Sequence, residues 1–193
     1  MNLPNTLTVV RIVLAPLFFV AFFWGEWTGC CGITALVLMT FIFGASELTD
    51  FLDGYYARKM NLVTDIGKVI DPFADVLSRM TYFFCFTMSG LMPAWIFLIL
   101  IYRELGITFL RMLLIRRGIA MAASVWGKAK AVTYTAGGIL GLVYTIISRL
   151  GPDTGLLPGL LLFTQAVFVL GAFSSVFSFV KYILSAAPEL GDR

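Results

Sequence analysis

Histidine is absent from the 193 residues, and only three cysteines are present. The first absence excludes a cysteine–histidine zinc site and removes the usual general base, so acid–base chemistry falls to carboxylates, Lys, Tyr or Cys. Cys30, Cys31 and Cys85 show no CxxC spacing; a disulfide framework is not expected, and they read as packing residues. Charge is also scarce. Charged residues make up 13% of the chain against 60% hydrophobic, with a mean hydropathy of +0.93, which excludes an ordinary soluble domain of this length. The net charge of +3 is modest, and no nucleic-acid partner is expected. Low-complexity segments and convincing internal repeats are lacking, which argues against a transporter built from repeated halves.

What is present is a series of long apolar runs. Segments able to cross about 30 Å of hydrocarbon at about 1.5 Å per residue fall at 5–24, 32–58, 65–89, 93–116, 127–149 and 156–186. They are separated by breakers at 25–32, 60–64, 90–93, 118–127 and 151–159. The expectation is an all-α, polytopic membrane protein of six transmembrane helices, with one membrane domain over 1–193. MNLPNTLTVVR offers no cleavable small-residue site, so the first apolar run is expected to be retained as a span. Arg58, Lys59, Lys68, Arg116, Arg117, Lys128 and Lys130 cluster around two connections, whereas the opposite connections carry only Arg149. The positive-inside rule then places the first group and both termini in the cytoplasm.

Against this background, five of the eleven acids stand between positions 49 and 75. Asp50, Asp53, Gly54 and Ala57 lie at i, i+3, i+4 and i+7, so two carboxylates and two small residues share one helix face. Gly67, Asp71 and Asp75 are spaced by four and form a second such face. A short connection makes the two helices antiparallel, so both acidic faces can point into one cleft near the cytoplasmic end. Four carboxylates this close stay ionised only if a cation balances them. A hard divalent ion suits oxygen ligands, and Mg²⁺ or Mn²⁺ commonly binds through carboxylates together with substrate phosphates. The plainer alternative is interfacial salt bridging to Arg58, Lys59 and Lys68; it leaves unexplained why costly acids gather inside apolar helices.

The full pattern, Asp50-x2-Asp53-Gly54-x2-Ala57-Arg58-x8-Gly67-x3-Asp71-x3-Asp75, resembles the signature of the CDP-alcohol phosphatidyltransferase family at every fixed position. NLPNTLTVVRIVLAP, YRELGITFLR and the GKAK run at 127–130 are similar to the bacterial phosphatidylglycerophosphate synthase branch of that family. One departure is visible, because that branch typically has Lys after the last Asp and Val76 stands here. The resemblance implies that Asp50, Asp53, Asp71 and Asp75 surround one or two Mg²⁺ or Mn²⁺ ions on the diphosphate of CDP-diacylglycerol. Gly54, Ala57, Arg58 and Gly67 would line the CDP-lipid site. Asp75 would also be the catalytic general base, drawing the proton from an acceptor hydroxyl as CMP is expelled.

Arg103 and Arg111 stand eight apart within one apolar segment, on nearly the same face. A phosphate on the acceptor accounts for them, with Lys128 or Lys130 completing the cradle; snorkelling to lipid phosphates, and neutralisation by Glu104, are the plainer readings. Arg11 and Asn5 read as an interface anchor and a cap, with a substrate contact implied only by the resemblance. The expected reaction is phosphatidyl transfer from CDP-diacylglycerol to sn-glycerol 3-phosphate, giving phosphatidylglycerophosphate and CMP. Inositol phosphate, serine or choline are the rival acceptors, and a divalent-cation channel or transporter is the rival from another class. The resemblance further implies a homodimer among membrane lipid. The expected location is a bacterial inner membrane with the active site facing the cytoplasm, or an organellar membrane in a eukaryote.

Overall fold

The computed structural model describes residues 3–29, 32–60, 67–116, 125–151 and 155–191. Among these residues the chain forms six helices and no strand: α1 (Leu3–Thr28), α2 (Gly32–Met60), α3 (Gly67–Met88), α4 (Ala94–Arg116), α5 (Val125–Leu150) and α6 (Leu157–Gly191). The helices fall where the apolar runs lie. Gly25, expected among the breakers, is instead inside α1. A single glycine costs a helix only about 1 kcal/mol relative to alanine, and here the Phe23 and Trp27 rings stack across it at 5.9 Å. The helix stops three residues later, where Gly29 adopts a φ of +64° and its N–H donates to the Gly25 carbonyl at 3.1 Å.

Among the described residues, four stretches qualify as membrane spans by length and apolarity: Thr6–Thr28, Gly32–Asp50, Ala129–Leu150 and Leu157–Pro188. The chain is an integral membrane protein on this ground. Helices α3 and α4, expected as spans, have 22 and 23 residues. Their charges set them apart: α3 carries Lys68, Asp71, Asp75 and Arg79, and α4 carries Arg103, Glu104, Arg111 and Arg116. Such residues are expensive in lipid and tend to face protein or a polar cavity. Trp24, Trp27 and Trp95 are exposed, in keeping with interfacial positions, and Trp126 lies outside the described side chains.

The chain divides into two compact units, Met1–Phe86 with Thr145–Asp153, and Thr87–Tyr144 with Thr154–Arg193. The first is centred on aromatic rings. Tyr82 meets Phe18 at 4.5 Å and Phe43 at 4.9 Å, and all three are buried, as is Cys85. Arg149 closes the end of α1: its guanidinium lies 4.5 Å from the Phe22 ring, donates to the Phe22 carbonyl at 2.6 Å and pairs with Glu26 at 3.1 Å. A cation near a helix C-terminus also interacts favourably with the helix dipole.

In the second unit small residues set the approach of the helices. A Cβ on Gly137 of α5 would stand 3.0 Å from two ring carbons of Phe168 on α6, so this glycine is a close-packing position. We expect Gly137→Val to destabilise the protein by about 1–3 kcal/mol through overpacking, measured as a lower unfolding midpoint in detergent; an unchanged midpoint would contradict this packing.

Candidate active site

The acids described on α2 and α3 belong to the first unit and are drawn together on a side chain of α1. Arg11, on α1, is almost fully enclosed, its side chain only 2% exposed. One of its terminal nitrogens donates to Asp50 on α2, and the other donates to Asp71 on α3 at 2.8 Å. Asp75, one turn beyond Asp71, has an oxygen 3.9 Å from Arg11 and 3.0 Å from Arg79. Arg79 also reaches the second oxygen of Asp50 at 3.7 Å. The rigid guanidinium fork explains how a single side chain bridges two helices. Its aliphatic stem lies in the apolar body of α1, next to buried Thr8 and Ala15 on the same helix.

Asp50, Asp71 and Asp75 are therefore brought together as the spacing implied. Asp53, Gly54, Ala57 and Arg58 have helical backbone in α2, and Gly67 opens α3. The side chains of Asp53, Ala57 and Arg58, and the surroundings of Gly54 and Gly67, lie outside the described residues. The expected plain partners of the acids, Lys59 and Lys68, also lie there. Arginines 11 and 79 do the pairing that is seen. Arg79 carried a usable signal, since it stands four residues after Asp75, the spacing of a helical ion pair. Glu47, one turn before Asp50, was also missed; it is in electrostatic reach of Arg79, Asp50, Asp75 and Arg11.

Four carboxylates thus face two guanidiniums among the described residues. Counted over those residues, the cluster holds more acids than guanidiniums. Its donors are all carboxylate oxygens, and the Asp50, Asp71 and Asp75 side chains are 36%, 51% and 34% exposed, so they remain within reach of an incoming ion. Among the described residues no three acids stand close enough to enclose an ion as they are. The donor chemistry and the excess of acids fit a hard divalent cation, which prefers oxygen ligands and readily shares them with phosphate.

The cationic residues expected around an acceptor phosphate belong to the second unit. Arg103 and Glu104 are buried on α4, at 6% and 5% exposure. Glu104 Oε1 accepts from Arg103 at 2.9 Å and from Lys130 of α5 at 2.5 Å. Arg103 donates its other terminal nitrogen to Ser178 of α6 at 3.1 Å. The structure gathers Arg103 and Lys130; Arg111 is exposed on α4, and the Lys128 side chain lies outside the described residues. The neutralising part read for Glu104 is what the geometry displays.

Comparison with known proteins agrees with this arrangement. The chain is similar to a Treponema pallidum (strain Nichols) protein named CDP-diacylglycerol--glycerol-3-phosphate 3-phosphatidyltransferase, 35% identical over 153 residues that cover 74% of this chain and 69% of that one. A Bacillus subtilis (strain 168) protein of the same name is 40% identical over 135 residues, 67% of this chain and 70% of its own. A probable phosphatidylglycerophosphate synthase of Mycobacterium tuberculosis (strain CDC 1551 / Oshkosh) is 33% identical over 192 residues, 98% of this chain and 84% of its own. The family model described as CDP-alcohol phosphatidyltransferase matches residues 1–180, a stretch that includes the acids of α2 and α3, Arg11 and the Arg103–Glu104–Lys130 cluster. By sequence over nearly its whole length, the chain belongs to the CDP-alcohol phosphatidyltransferase family.

Proposed function

We propose that this chain is a phosphatidylglycerophosphate synthase, transferring the phosphatidyl group of CDP-diacylglycerol to sn-glycerol 3-phosphate with release of CMP. The observation that carries the reading is the convergence of Asp50, Asp71 and Asp75 from two helices onto Arg11, in a chain whose relatives are named for this reaction. Asp50, Asp53, Asp71 and Asp75 would hold one or two Mg²⁺ or Mn²⁺ ions, which when bound supply charge compensation for the diphosphate. Gly54, Ala57, Arg58 and Gly67 would line the CDP-lipid site, a role that the family pattern implies for them.

Asp75 accepts the proton of the acceptor hydroxyl. The freed oxygen forms its bond to the phosphatidyl phosphorus while the bond from that phosphorus to the bridging oxygen breaks, and CMP departs with the bridging oxygen. Arg79, 3.0 Å from Asp75, holds the carboxylate in place before the transfer. Arg103, Arg111, Lys128 and Lys130 supply cationic donors for the acceptor's phosphate. In the membrane, α3 and α4 join the four apolar helices as spans, with both termini and the active site on the cytoplasmic side of a bacterial inner membrane. The working form is a homodimer.

The test is CMP release by the purified protein in detergent with CDP-diacylglycerol and Mg²⁺, with glycerol 3-phosphate, inositol phosphate, serine and choline supplied separately. Glycerol 3-phosphate alone is expected to support turnover, and Arg111→Glu is expected to raise its KM by about tenfold or more through charge reversal. Equal turnover with serine or choline would overturn the acceptor assignment.

A further inference from the structure

Adjacent residues on a helix point about 100° apart and do not normally meet. Yet Arg103 and Glu104 form a buried hydrogen bond, at the point where Lys130 arrives from α5. Three ionised side chains share a pocket in the second unit, walled by Ser178 at 3.1 Å from Arg103 and by the ring of Tyr134, 4.6 Å from the Lys130 ammonium. Among the described residues, two cations meet one carboxylate here. Both cations converge on one oxygen, the way an Arg and a Lys grip an oxygen of a phosphate. A buried ion pair is weak grounds for stability alone, since packed apolar residues serve as well.

We infer that Glu104 is a built-in stand-in for the acceptor's phosphate: its carboxylate occupies the cations Arg103 and Lys130 until a phosphate monoester competes for them. This rests on the acceptor reading given above. Glu104 is on this view a positioning residue, which keeps the two cations gathered and also limits how tightly phosphate is held. Lys130, whose side chain is 12% exposed against 7% for Arg103, is the member an entering anion meets first. An acceptor without phosphate cannot displace Glu104, so the same carboxylate contributes to specificity.

The experiment compares the wild-type protein with Glu104→Gln and Glu104→Asp in phosphate-free detergent. Inorganic phosphate is titrated as an inhibitor against glycerol 3-phosphate, and separately in thermal unfolding without substrates. The Gln variant retains the shape and loses the competing charge, so phosphate should inhibit it at about tenfold lower concentration and should raise its unfolding midpoint more than that of the wild type. The Asp variant should stay close to the wild type. Unchanged or weaker phosphate sensitivity in the Gln variant, or an equal gain in the Asp variant, would overturn the inference.

A midpoint rise produced by phosphatidylglycerol added to the micelles, and not by inorganic phosphate, would assign the cations to lipid headgroups and overturn it as well. If the Gln variant does not fold, Lys130→Met decides, since it leaves Arg103 and Glu104 neutralising each other. The phosphate-induced rise of the unfolding midpoint should then vanish, and its persistence would contradict the stand-in role. The unfolding measurement needs no turnover, so a wild-type protein inactive with glycerol 3-phosphate would refute the acceptor reading without deciding the part played by Glu104.

Discussion

Asp75→Asn should reduce CMP release by about 10²- to 10⁴-fold, the usual contribution of a positioned general base, while the protein stays folded. Asparagine keeps the shape of the side chain and can still accept from Arg79, now at 3.0 Å from the carboxylate, but it cannot take the acceptor's proton. The Asp75 side chain is 34% exposed, so its ion pairs are partly screened and their loss costs little stability. The discriminating measurement is the initial rate of CMP release at saturating glycerol 3-phosphate, beside an unfolding curve in the same detergent. A rate within a few-fold of the wild type would remove Asp75 from the proton transfer.

Arg11→Ala should have the opposite profile, with a large loss of stability. The side chain is 2% exposed and ties Asp50 of α2 and Asp71 of α3 to α1. Removing one partner of a buried pair costs about 3–5 kcal/mol. Here the aspartates are 36% and 51% exposed, and water repays part of that, so about 2–3 kcal/mol is the expected loss. Mg²⁺ should raise the unfolding midpoint of Arg11→Ala more than that of the wild type, because the freed carboxylates then need the ion more. Arg11→Lys keeps the charge without the fork and should recover only part of the stability. An Arg11→Ala protein as stable as the wild type, or one indifferent to Mg²⁺, would contradict the electrostatic role assigned to this residue.

The acids were legible because helical geometry is strict: Asp71 and Asp75 are four apart, and a short connection forces α3 back towards α2, so their meeting with Asp50 follows from spacing. The six helices were legible from the apolar runs and their glycine and proline boundaries. Tertiary pairing was less so. Arg11 reads locally as an anchor near a membrane surface, and only the packing of α1 against α2 and α3 turns its guanidinium onto Asp50 and Asp71. Arg79 carries a local signal, since its spacing from Asp75 is that of a helical ion pair, but its reach to Asp50 needs the packed helices. Gly25 reads as a stop, and the aromatic stack across it carries the helix on to Thr28. In α4, two arginines at similar helix angle received different surroundings, Arg103 buried on Glu104 and Arg111 exposed, because facing helices rather than spacing decide burial.

The most direct test of phosphatidyl transfer follows the oxygen atom. Glycerol 3-phosphate labelled with heavy oxygen at its attacking primary hydroxyl is incubated with CDP-diacylglycerol, Mg²⁺ and the purified protein, and lipid and nucleotide are weighed by mass spectrometry. The account requires the label to remain in phosphatidylglycerophosphate, with one unlabelled CMP formed for each labelled lipid. Absence of labelled lipid, or CMP formed without it, would show that the acceptor oxygen does not attack the phosphatidyl phosphorus.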